Sequence, residues 1–165
     1  MTTKRLVPLI TVTCCVCCTA ALASDWFGYH NARFQYQVDI PASFLTIKES
    51  TNGDGGVAKS VDGGSELRVW GNALVLGDFA EETKSRIDSD RQDGWTVTYE
   101  KRQPAWAAWS GKRGGRIFYA RSISACEGAV ASFRIEYPAE SKEAFDPIIT
   151  RLQKSLKAGK CQSSR

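Results

Sequence analysis

The stretch WTVTYEKRQPAWAAWSGKRGGRIFYARSISACEGAVASFRIEY, residues 95–137, decides the fold of this chain. It opens with Trp95, Val97 and Tyr99 alternating with Thr96, Thr98 and Glu100, the period of a strand with one wet face. Three more extended segments follow, at about 105–110, 116–123 and 129–137. The cluster Gly111-Lys112-Arg113-Gly114-Gly115 supplies residues that tolerate positive φ and predicts a hairpin turn, and Cys126–Gly128 sits in the next turn. None of these connections is long enough for a parallel crossover, so the stretch reads as a four-stranded antiparallel meander.

Upstream, Phe34, Tyr36, Val38 and Ile40 alternate with Arg33, Gln35, Gln37 and Asp39, a strand that Pro41 ends. Phe44 to Ile47 carries apolar side chains beneath the sheet or starts a second short extended piece. The turn clusters Asn52-Gly53-Asp54-Gly55-Gly56 and Asp62-Gly63-Gly64 bracket a short strand at 57–61, paired with 66–71 so that Leu67 and Val69 point inward. Residues 78–91 predict a surface helix: Asp78 caps it, Glu81 supplies the capping-box acid, and Phe79, Thr83, Ile87 and Ala80 make a thin apolar stripe.

Downstream, Phe145, Ile148, Ile149, Leu152 and Leu156 form a strong helical stripe. This helix begins at Asp146-Pro147, with a start one turn earlier, at Ser141, as the alternative, and it stops near Gly159. The order of elements predicts an α+β fold: a mostly antiparallel sheet of about six or seven strands, one face covered by helices.

The first 23 residues read differently. Lys4 and Arg5 precede an apolar run, and Ala21-Leu22-Ala23 closes it with the small-x-small pattern that a signal peptidase cuts. A membrane anchor is the rival, weakened by Pro8, threonines and four cysteines in the run and by the absence of a basic cluster after it. The expectation is therefore a cleavable signal peptide, 1–23, and one α+β domain, 24–165, periplasmic or secreted, with no transmembrane segment after cleavage. Without Lys4 and Arg5 the chain keeps 20 basic and 18 acidic residues, a formal charge of +2 where the whole chain has +4. So even a balance gives no global argument for nucleic acid, and none is expected as a partner.

Cysteine usage changes in the same way. Cys14, Cys15, Cys17 and Cys18 belong to the signal, and Cys126 and Cys161 remain. In an exported protein these two most simply form one disulfide, closing a loop of about 35 residues; a free reactive pair or intermolecular bonds are the alternatives.

Several motifs carry a resemblance. Asn31-Ala32-Arg33-Phe34, Val38-Asp39-Ile40-Pro41, Asn52-Gly53-Asp54-Gly55 with Asp62-Gly63, Ile117-Phe118-Tyr119, Tyr137-Pro138 and the closing Ser155-Leu156 resemble a group of small uncharacterised exported proteins of Gram-negative bacteria. That group is similar in architecture to the PsbP/Mog-like fold, named for an extrinsic subunit of photosystem II and a Ran-binding protein. The resemblance spans most of residues 24–165 and implies the fold. It brings no catalytic residues, because its motifs are turn and core patterns and its two namesakes do unrelated work.

Read for chemistry, the sequence offers no metal or cofactor motif, and neither is expected. His30 is the single histidine, and Asp54 and Asp62 lack the spacing of a calcium loop, which leaves them to turn chemistry. Trp109-Ser110-Gly111 is not a nucleophile elbow, and Gly111–Gly115 joins two strands where a phosphate loop joins strand to helix. Glu66, Glu100 and Glu136 sit on strands and can be neighbours, but outward carboxylates normally solvate an open face.

One cluster has binding content. Lys101, Arg102, Lys112, Arg113, Arg116 and Arg121 are interleaved with Trp106, Trp109 and Tyr119, a composition suited to anionic polymers or sugars. The anionic-ligand surface is expected from Lys112, Arg113, Arg116, Trp106 and Trp109. The plainer alternative is that the tryptophans fill the core. The leading reading is a non-catalytic exported binding or envelope-associated protein whose partner is an anionic envelope polymer or an envelope protein. The alternative is a secreted hydrolase with a site assembled from sequence-distant residues.

Overall fold

The computed structural model describes residues 25–75 and 77–161; the proposed signal peptide lies outside them. The meander forms as the alternation requires: β6 (Thr96–Gln103), β7 (Trp106–Arg113), β8 (Arg116–Ser124) and β9 (Ala129–Pro138) pair antiparallel in sequence order. The hairpin turn is tighter than expected. Arg113 pairs with Arg116 across Gly114 and Gly115, whose φ values of 52° and 75° make a two-residue turn with both central residues left-handed. Strand β7 therefore runs on through Gly111, Lys112 and Arg113. Gly111 is needed there for room, since a Cβ would stand 2.7 Å from Phe118 and 2.8 Å from the Thr96 carbonyl oxygen.

Three further strands, β3 (Lys48–Glu49), β4 (Gly55–Lys59) and β5 (Glu66–Ala73), extend the sheet beyond β9 to seven strands in the order β3-β4-β5-β9-β8-β7-β6. A second, three-stranded sheet has the order β1-β2-β10, from β1 (Trp26–Asn31), β2 (Tyr36–Pro41) and β10 (Lys157–Ala158). Strand β1 was not expected, and the anticipated strand at 33–40 starts only at Tyr36. The intervening turn at 32–35 places Gln35 at φ 49°, in the left-handed region.

Helix α1 (Phe79–Gln92) begins as the cap predicted, with the Asp78 carboxylate accepting from the Glu81 backbone N–H at 2.8 Å. Its buried residues are Phe79, Glu82, Thr83, Ile87 and Asp90, while Ala80 is exposed. Helix α2 (Lys142–Ser155) takes the earlier of the two starts, preceded by a 3₁₀ turn at Ala139–Ser141, so that Pro147 lies inside the helix.

The two helices cover opposite faces of the seven-stranded sheet, where one covered face had been expected. Phe79 and Ile87 of α1 pack with Trp109, Phe118, Ala120 and Val130. Ile149 and Leu152 of α2 pack with Ile117, Phe133, Ile135 and Tyr137, together with Tyr36, Val38 and Ile40 of the smaller sheet. Neighbouring residues of β8 and β9 appear in different cores because successive strand residues point to opposite faces. The Cys126–Cys161 disulfide joins the β8–β9 turn to the segment after β10, with a sequence separation of 35. On the chain-entropy model a loop of that length stabilises the folded state by about 4 kcal/mol.

Candidate functional site

The same parity sorts the basic and aromatic residues of the meander. Trp106 and Lys112 lie on the α2 face; Trp109, Arg113 and Arg116 lie on the α1 face. The five residues expected to share one anionic-ligand surface are thus divided between two sides of the sheet. Trp109 is 2% exposed, and its Nε1 donates to Asp90 Oδ2 at 2.6 Å. Arg113 lies over the Trp95 ring at 4.4 Å and donates to the Asp93 carbonyl at 2.6 Å. Arg116 reaches the Gly64 carbonyl at 3.1 Å. These three side chains brace the fold.

On the α2 face the picture is different. Helix α2 packs on β2, β8 and β9 and leaves the outer strands β6 and β7 open. The open half carries Tyr99 and Lys101 from β6, Trp106 and Lys112 from β7, and Tyr119 and Arg121 from β8. The Arg121 guanidinium stands 4.6 Å and the Lys101 ammonium 5.6 Å from the Trp106 ring centre. Among the described residues, Lys101, Lys112 and Arg121 make no ion pair within 4.0 Å. Arg121 Nε is buried with no hydrogen-bond partner. Every charged strand side chain on this half is a cation, because the strand carboxylates Glu66, Glu100 and Glu136 occupy the α1 face. A cavity of about 310 Å³ continues the surface toward α2, between Lys112, Tyr119, Tyr137 and the Lys142–Asp146 ion pair. Burial, with a smaller contribution from nearby Tyr99, pushes the Tyr119 hydroxyl up to about 12.

The α1 face holds a larger groove, about 470 Å³, beside the C-terminal half of α1. Arg134 is its fixed centre: its Nη1 donates to Asp90 at 2.6 Å and its Nε to Glu136 at 2.8 Å, and its guanidinium lies 3.8 Å from the Phe118 ring centre. Asp90 thereby joins Arg134 to Trp109 from inside the core. Sequence reading had placed Asp90 among the solvated charges of α1, because only the helix's position over Trp109 and Arg134 distinguishes it from Asp88.

The groups considered for catalysis are dispersed. Glu66 and Glu136 face each other across β5 and β9, and each is held by an arginine, Arg68 at 2.6 Å and Arg134 at 2.8 Å. Glu100 is bound by Arg91 and Arg102. His30 is exposed on β1 of the small sheet, and Ser110 lies on β7 of the large one. Asp54 and Asp62 are occupied by their turns: Ser50 and Asn52 donate to Asp54, Ser60 and the Gly64 N–H donate to Asp62, and both carboxyls are held below the usual range by these hydrogen bonds. Among the described residues no three His, Cys, Asp or Glu side chains are grouped to hold a metal ion, and no helix is long and apolar enough to cross a membrane.

No family model and no curated protein sequence matches the chain. Its fold does match solved structures. The solution structure of cyanobacterial PsbP (CyanoP) from Synechocystis sp. PCC 6803 superimposes with a TM-score of 0.59 over 86% of this chain and 96% of that one, at 8% identity. The crystal structure of the Saccharomyces cerevisiae Ran-binding protein Mog1p gives 0.58 over 82% and 96%, at 11% identity. The α+β architecture is PsbP/Mog-like, and at such low identity the likeness is one of fold alone.

Proposed function

We propose that this chain is a non-catalytic exported binding protein, periplasmic or secreted, which holds an anionic envelope polymer on the open half of its α2 face. The observation that carries this reading is the set of three cations, Lys101, Lys112 and Arg121, without carboxylate partners among the described residues and interleaved with Trp106, Tyr99 and Tyr119. Such a surface attracts polyanions by charge and grips them by ring contact, a combination that does not demand one sequence of repeating units. Export is supported by the three-part pattern of residues 1–23, taken as a cleaved signal before a domain at 24–165, and by a disulfide, which persists in oxidising compartments. Gram-negative exported proteins of the kind its motifs resemble are the setting in which this reading places it.

Retention of residues 24–165 on immobilised heparin tests the site. Lys101→Ala/Lys112→Ala should elute at clearly lower salt than the parent. Arg102→Ala/Arg116→Ala, which removes the same charge from the α1 face, should elute as the parent does. Equal losses in both double variants would reduce the effect to net charge and end the proposal.

A further inference from the structure

We infer a second binding site on the opposite face: the α1-face groove takes a small carboxylate carried on a flat, unsaturated body. This inference does not rest on the polymer-binding reading, since the two surfaces share no residue. Two buried donors at the groove's β5 end lack acceptors, and the exposed Arg68 beside them has donors to spare. Trp70 Nε1 and Arg86 Nε are buried with no hydrogen-bond partner, and Arg68 uses only its Nε, toward Glu66, leaving its terminal nitrogens without a bond to any described residue. All three side chains line the groove. Buried donors without acceptors are costly, and an oxyanion supplies two acceptor atoms at once.

Arg86 is itself bound through Nη2 to Glu82 at 2.7 Å and to Asn72 at 2.8 Å, so it offers the anion its Nε alone, and the remaining cations of the groove do not compete. Arg134 is committed to Asp90 and Glu136, and Arg113 to the Asp93 carbonyl. The C-terminal end of α1, with its negative dipole and Asp93, disfavours an anion at the far end of the groove and so fixes the carboxylate's place near Arg68 and Arg86. The walls are planar: Trp70 lies under the Arg86 guanidinium at 5.5 Å, and Trp95 lies under those of Arg113 and Arg134 at 4.4 and 5.1 Å. A volume of about 470 Å³ suits a small molecule and is too little for a folded partner.

The test uses residues 24–165 and three probes, 2-naphthoate, 2-naphthol and inorganic phosphate, with calorimetry for affinity and the tryptophan indole N–H resonances for location. Naphthoate should bind one per chain and shift the Trp70 indole N–H. Trp70→Phe, which keeps a ring and removes the donor, and Arg68→Met, a change at an exposed side chain, should each weaken it by roughly 5- to 10-fold. Naphthol and phosphate should each bind more weakly than naphthoate. Unchanged affinity in both variants would show that water alone satisfies these donors and would overturn the site. Phosphate binding as tightly as naphthoate would overturn the flat body. A naphthoate shift confined to Trp106, or displacement of naphthoate by heparin, would move the compound to the α2 face and overturn the inference. Loss of heparin retention in Lys101→Ala/Lys112→Ala with naphthoate affinity intact separates the two proposals.

Discussion

Asp90 shows how much one carboxylate organises. It accepts from Trp109 Nε1 and from Arg134 Nη1, both at 2.6 Å, with its side chain 12% exposed. Removing it leaves the indole N–H without its acceptor and the arginine with Glu136 alone, and deleting one partner of a buried pair costs about 3 to 5 kcal/mol. Asp90→Ala should therefore lower the urea midpoint by that equivalent, whereas Asp90→Asn, which still accepts from Trp109, should lose markedly less. Equal losses would assign Asp90 to charge alone. None of this was legible in the sequence, where Asp88 and Asp90 look alike on one helix. The division of Trp106 from Trp109 was legible in principle. The two stand three apart on one strand and must face opposite ways, but placing the turn across 111–115 in place of Gly114-Gly115 cut β7 short and hid the parity of Lys112 and Arg113.

At the scale of elements, the meander was readable because its alternation is nearly unbroken, and α1 because its cap stands in the sequence. Strand β1 was missed for a physical reason. It is an edge strand whose only buried side chains are Tyr29 and Asn31, so no apolar alternation marks it. Helix α2 poses the opposite problem, since Asp146-Pro147 looks like a start and lies in the interior. Beginning at Lys142 brings Phe145 onto Tyr137, with ring centres 4.4 Å apart and planes within 1°, and this stack accompanies the first helical turn. Pro147 then lacks the N–H that would donate to the Glu143 carbonyl, a defect of about 3 kcal/mol in a fully regular helix interior. Pro147→Ala should raise the thermal midpoint, by an amount equivalent to about 1 kcal/mol or more. A helix beginning at Pro147 would make the same change neutral or harmful, because proline is favoured at a first helical position.

At the scale of the whole molecule, the two sheets bury tyrosines between them and under α2, and this sets how the fold meets alkali. Burial pushes Tyr29, Tyr36, Tyr119 and Tyr137 all above the ordinary tyrosine value of 10.0. Tyr119, raised to about 12, lies between the core under α2 and the open basic surface. Between pH 10 and 12 the unfolded chain has released the phenolic proton while the folded chain still holds it. The folded state binds more protons in that window, so stability falls as pH rises through it; below pH 10 the contribution is fully present. From pH 9 to pH 11 Tyr119 alone accounts for about 1 kcal/mol of the fall, once the part of its hydroxyl open to solvent screening is discounted. Urea unfolding at pH 9 and pH 11 should show the parent losing stability, and Tyr119→Phe losing about that much less, since phenylalanine has no proton to release. An identical loss in the variant would mean that Tyr119 ionises in the folded protein as readily as in the unfolded chain. Its hydroxyl would then be in water, and the open half of the α2 face would extend further beneath α2 than the packing of Ile117 and Tyr137 allows.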